Sequence, residues 1–186
     1  MGTADSGAMA QGQPPMSFAS RFLGVFMSPG ETFDDIARKP DIVAPLVVSI
    51  LATVAFSESM LAKIGMDRIV RMQLEQSGRA SSMSPDQVEQ AVSQGAKFGA
   101  IITHVFGLVG VPIFLLLVAL VGWGIVSAIF GSKTNFGTAF SVTCYANLVT
   151  ILGVILGIVV MFLGDPDHFN PSAAIPTNAG FFLDQS

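Results

Sequence analysis

Glu58 and His104 are ionisable side chains set beside or within long apolar runs. An ionisable group at bilayer depth is a functional hypothesis by default, and an imidazole facing a carboxylate can hold or pass a proton. Glu58 lies near the far end of a first apolar run, and His104 near the start of a second. If one run crosses outward and the next returns, both fall at the same boundary, so a Glu58–His104 contact is expected. The plainer alternative is that each side chain reaches the interface alone or bonds a neighbouring helix. One such pair would make no relay across a bilayer. Asn147, in a third run, is a candidate for a hydrogen bond between helices. Gly153 and Gly157 form a G-x-x-x-G in the same run, and Gly99, Thr103 and Gly107 repeat small residues in the second. Such spacing lets two backbones approach, within one chain or between two copies.

Other reactive types carry less. Cys144 is the sole cysteine and sits in an apolar run, where an inert buried thiol is expected. Asp165, Asp167 and His168 could hold a metal weakly, although a solvated turn explains them equally. No phosphate-binding glycine loop, nucleophile elbow or metal-ligand spacing is found. The expectation is therefore no enzyme, no cofactor and no small-molecule substrate.

These residues need elements to place them. From Phe98 to Leu163 the only formal charge is Lys133. The chain is 51% hydrophobic and 12% charged, with mean hydropathy +0.64. A soluble domain carries roughly 25% charged residues, whereas about 20 apolar residues cross the hydrocarbon of a bilayer. An all-α polytopic membrane protein follows, with about three spanning helices. Ile42 to Ala62 is the first span. Phe98 to Phe130 is the second, about 50 Å as a helix at about 1.5 Å per residue, hence tilted or projecting, with a kink at Pro112. Thr138 to Leu163 is the third. Lys63 to Lys97 between the first two is polar, with a break at Gly78 to Ser84.

Short amphipathic helices precede the spans. Phe18, Phe22 and Phe26 recur every fourth residue and so share one helical face. That face either lies in the membrane interface or packs on the protein. Ser28-Pro29-Gly30-Glu31 reads as a capping box opening a helix that Pro40 ends. Ser84-Pro85-Asp86-Gln87 repeats the signature. The organisation expected is a disordered lead over 1–16, capped helices over 17–40, a transmembrane domain over 41–164 and an irregular tail over 165–186. The lead lacks the basic and apolar regions of a cleavable signal.

Arg21, Arg38, Lys39 and Lys133 fall on one side of the three-span arrangement, and Lys63, Arg68, Arg71, Arg79 and Lys97 on the other. That balance is nearly even. The tail carries Asp165, Asp167 and Asp184 without a base, which favours an N-terminus in the cytoplasm. No basic patch with interleaved aromatics points to nucleic acid.

The stretch Arg21-Phe22-Leu23, Ser28-Pro29-Gly30-Glu31-Thr32-Phe33, Ile36-Ala37, Pro40 and Pro45 resembles the start of bacterial Yip-domain membrane proteins. The resemblance continues through Gly131-Ser132-Lys133, Phe136, Ala139-Phe140 and Tyr145-Ala146, and covers roughly Ser17 to Leu163. It implies a cytoplasmic N-terminus and, usually, five spans. Two departures stand out. A proline commonly follows the Tyr-Ala pair, where Asn147-Leu148-Val149 stands here. The family's last helical pair has no counterpart before Ser186, so the sequence is expected to lack it or to belong to a short member. The resemblance implies a non-catalytic scaffold or membrane-organising subunit in the bacterial inner membrane. Its partners would be the lipid bilayer and a protein partner or second copy, with Phe18, Phe22 and Phe26 as a docking face. The competing reading is a small transporter or channel component using Glu58, His104 and Asn147.

Overall fold

The computed structural model describes residues 14–164, and every element among them is helical. Most of the expected lead, the whole tail and its Asp165, Asp167 and His168 lie outside the described residues. Helix α1 covers Phe18–Met27 and begins where Ser17 Oγ accepts the Ser20 N–H at 3.2 Å. Helix α2 follows at once over Pro29–Arg38. The capping box expected at Ser28 is not formed. The Ser28 N–H closes α1 on the Gly24 carbonyl at 2.8 Å, and its backbone (φ −145°, ψ 62°) leaves the extended region that a capping side chain needs. Its carbonyl instead takes the Thr32 hydroxyl at 2.9 Å. The Ser84–Gln87 box does form, with both reciprocal bonds. Gly24 lets α1 and α2 meet, since a Cβ there would come within 2.2 Å of Thr32 Oγ1.

Among the described residues, three helical stretches are long and apolar enough to cross a membrane: Val43–Lys63, Pro85–Phe130 and Phe136–Leu163. The first is helix α3, a residue later than expected at each end. Helix α4, Met66–Gln76, folds back against helix α5, Pro85–Val105. Their contact is close, as Gly95 meets Val70 and Gly99 meets Met66. Gly65 makes the preceding turn at φ 84°, where a side chain would be strained.

The second stretch corrects the expectation in two ways. The polar segment after Ser84 is no separate loop helix but the first part of the spanning helix, which runs 46 residues from Pro85 to Phe130. Its irregularity is a π-turn at Phe106–Gly110, between α5 and helix α6, Val111–Phe130. Pro112 lacks an N–H and crowds the carbonyl four residues back, which is Leu108, inside that turn. Gly131 ends α6 in the left-handed conformation at φ 62°.

The third stretch is broken rather than continuous. Helix α7, Phe136–Asn147, and helix α8, Thr150–Leu163, are separated at Leu148 and Val149. Bonds there tighten to three-residue spacing, as from the Leu148 N–H to the Tyr145 carbonyl at 3.1 Å. The Thr150 hydroxyl takes the Asn147 carbonyl at 2.7 Å.

Three apolar clusters hold the bundle. Val25, Ile36, Tyr145 and Leu148 join α1 and α2 to the α7–α8 junction, with Val48 and Ile151 packed against them. Leu115, Ala119, Phe140 and Cys144 join α6 to α7. Ile64, Ile69 and Met161 close the end near α4. Outside these clusters the spans present apolar side chains outward, among them Val47, Leu51, Ile113, Leu117, Val121, Ile155 and Val159. Water would leave that surface unstable, and acyl chains match it.

Candidate functional site

The buried charges, Arg21 and Asp35, lie where α1 and α2 meet the bundle. Arg21 is the only charged residue of α1 and points inward, its side chain 3% exposed. Its Nε donates to Asp35 Oδ2 at 2.9 Å, and a terminal nitrogen lies 2.8 Å from the same oxygen. It also donates to the Lys39 carbonyl at 2.9 Å and pairs with Asp41. The Arg21 guanidinium lies 5.7 Å from the centre of the Tyr145 ring. Burial alone would lower the Arg21 pKa. Hydrogen bonds with Tyr145 and Asp35 outweigh it and leave the pKa above its ordinary value, so the group is a fixed cation.

Asp41 carries the connection on to α7. Its backbone carbonyl accepts from Ser141 Oγ at 2.6 Å, and its N–H donates to the same hydroxyl at 3.1 Å. Its carboxylate accepts from Tyr145 OH at 3.0 Å. Asp35 also accepts the Met16 N–H at 3.1 Å. Thus α1, α2, the approach to α3 and the middle of α7 share one hydrogen-bonded centre. The sequence reading missed it. The available signals were an arginine among phenylalanines and an aspartate directly before a span.

The two candidate polar contacts lie elsewhere. Asn147 Nδ2 donates to Ser49 Oγ at 3.1 Å, and Ser49 Oγ donates to the Pro45 carbonyl at 2.9 Å. That links α7 to α3. Glu58 and His104 do meet, with Oε1 and Nε2 2.5 Å apart. His104 Nδ1 lies 2.6 Å from the Ala100 carbonyl, which can only accept, so Nδ1 carries a hydrogen. Both side chains are 53% exposed, so the pair sits on the flank of the bundle rather than in a channel between helices. Ser49 and Glu58 lie on the same helix about 14 Å apart by helical rise.

The remaining candidates are placed as follows. Gly157 is buried and Gly153 half-buried on α8, which packs along α3. Phe18 and Phe22 pack inward against the Val25–Tyr145 cluster, and the Phe18 ring lies 6.2 Å from that of Tyr145. Phe26 stacks edge-on against Phe22 at 5.8 Å and is half-buried. Leu23 and Met27 are the exposed large apolar residues of α1. Cys144 is buried. Trp123 Nε1 donates to the Thr134 carbonyl at 2.8 Å and steadies the turn between α6 and α7.

A family model described as Yip1 domain matches residues 23–183. The matched stretch begins just past Arg21 and includes Asp35, Asp41, Ser141, Tyr145 and Asn147. No curated protein and no solved structure matches the chain. With a buried charged centre tying a helical pair to the first and third of its apolar spans, and a family match over most of its length, this integral membrane protein belongs to the Yip1 domain family.

Proposed function

We propose that the chain is a non-catalytic interaction subunit of its membrane, holding the α1–α2 pair in a fixed place for a protein partner. The observation that carries this is the Arg21 centre. Two buried charges are costly to place, and they are retained where they fix an arrangement. Here they fix α2 against α7, with Glu31 and Asp34 on its exposed side. Phe18 and Phe22 serve as the packing beneath that platform, and Phe26 lies at its edge. The N-terminal side faces the cytoplasm, and the bacterial inner membrane is the membrane proposed.

The transporter reading has less support. Asn147 pairs with Ser49 and Glu58 with His104, and the two pairs lie about 14 Å apart along α3 rather than on one path. A photo-crosslinking side chain at Asp34 in native membranes tests the proposal. One defined adduct by mass spectrometry is expected, lost when Arg21 is changed to Ala. No defined adduct, together with solute flux into liposomes that Glu58→Gln abolishes, would overturn it.

A further inference from the structure

We infer that α1 is a lipid-facing helix: its outer side, centred on Leu23 and Met27, is seated in the headgroup–acyl boundary next to the first span. The inference goes beyond the interaction role and holds whether or not α2 has a partner.

Height is the first argument. Arg21 bonds to Asp41, and α3 begins at Val43, so the middle of α1 sits level with the start of the first span. Residues of α1 and α2 also reach deeper. Val25 and Ile36 share a cluster with Val48 and Ile151, which lie inside α3 and α8. Val48 is more than a turn past Val43. That depth brings both helices to the edge of the hydrocarbon, so the chemistry of each outer side decides which of them meets lipid.

Chemistry is the second argument. The outer side of α1 bears Ala19, Ser20, Leu23 and Met27, all exposed and none charged. Leu23 is 62% exposed and Met27 81%. Its sole charge is turned inward and neutralised by Asp35 and Asp41. Helix α2, its neighbour, keeps Glu31 and Asp34 exposed instead. The division gives one helix to lipid and one to water.

Continuity is the third. Val43 and Val47, at the start of α3, are 70% and 47% exposed, and they belong to the apolar belt that the spans turn toward acyl chains. The exposed side of α1 extends that belt at its edge. An interfacial helix of this kind sinks its apolar side about 5–10 Å into the boundary, without spanning.

The test places a nitrobenzoxadiazole probe on Met27→Cys, on Leu23→Cys and on Asp34→Cys, each in the full chain reconstituted into phosphatidylcholine–phosphatidylglycerol vesicles. Cys144 is buried, so the unsubstituted chain serves as the unlabelled control. The probes on α1 should be quenched several-fold more by nitroxide on the upper acyl chain than by aqueous iodide, and the probe on α2 the reverse. Quenching of the α1 probes by iodide to the level seen at Asp34 would overturn the inference. So would protection from both quenchers, which would mean that protein, such as a second copy, covers this side.

Discussion

Arg21 is held by four oxygen acceptors, on Asp35, Lys39 and Asp41, and by the Tyr145 ring, and that decides what its loss should do. Removing it leaves Asp35, whose side chain is 5% exposed, as a buried carboxylate without its main partner. The cost of such a broken pair is about 3–5 kcal/mol, far above the roughly 0–1 kcal/mol of a surface pair such as Arg71–Glu89. Arg21→Ala should therefore lower the thermal midpoint of the detergent-solubilised protein strongly, whereas Arg71→Ala should barely move it. The double change Arg21→Met with Asp35→Leu should recover most of the loss, because it removes the desolvated charges together. Equal midpoints for Arg21→Ala and the unsubstituted chain would show the centre to be dispensable. At this scale the sequence was legible where one helical rise fixed two heights, as for Glu58 and His104. It was illegible at Arg21. A single-residue reading counts arginine as a surface or orientation charge, and its partners Asp35, Asp41 and Tyr145 become neighbours only once α1 folds over the start of α3.

The long helix shows how an element can absorb an irregularity and still keep two faces in register. Just before the π-turn, His104 meets Glu58 on α3, and farther on, Leu115 and Ala119 meet Phe140 and Cys144 on α7. Between them the π-turn holds an extra residue, since its bonds reach one residue farther than α-helical ones. Leu108 and Val109 in that turn are exposed, so the surplus sits on the lipid side. Deleting Val109 together with Pro112→Ala should give an ordinary α-helix with both faces retained, and a midpoint close to that of the unsubstituted chain. Deleting Val118 instead rotates Ala119 by about 100° relative to Leu115. It should cost about 2–5 kcal/mol through lost core contacts. Comparable melting of the two deletions would show that the turn does not set the register. The spans themselves were plain in the sequence because lipid demands uninterrupted apolar length. The broken third span was not. Its cause is local competition, the Thr150 hydroxyl claiming the Asn147 carbonyl while Asn147 turns to Ser49, and no proline or glycine announces it.

For the whole molecule, three spans place α1, α2 and the α6–α7 turn on one side and the α4–α5 hairpin with Gly164 on the other. Two contacts agree with this arrangement. Trp123 reaches Thr134 on the first side, and Lys63 lies 5.8 Å from the Phe162 ring on the second. Orientation in the membrane then depends on weak biases. Five of the bases, Lys63, Arg68, Arg71, Arg79 and Lys97, share the hairpin side, while Arg21 on the other is buried and paired. Lysine and arginine near spans tend to stay inside, so this count pulls against the acidic, base-free stretch after Leu163. We expect the acidic stretch to prevail and the α1–α2 side to face the cytoplasm. Asp34→Cys and Gly164→Cys separate the possibilities, because both positions are exposed and Cys144 is not. A membrane-impermeant maleimide applied to intact spheroplasts should label Gly164→Cys and spare Asp34→Cys, and inverted vesicles should give the opposite. Full reversal would put the hairpin inside and make its basic residues the topology signal. Labelling of both positions from the same face would be the graver result, since an odd number of crossings cannot produce it.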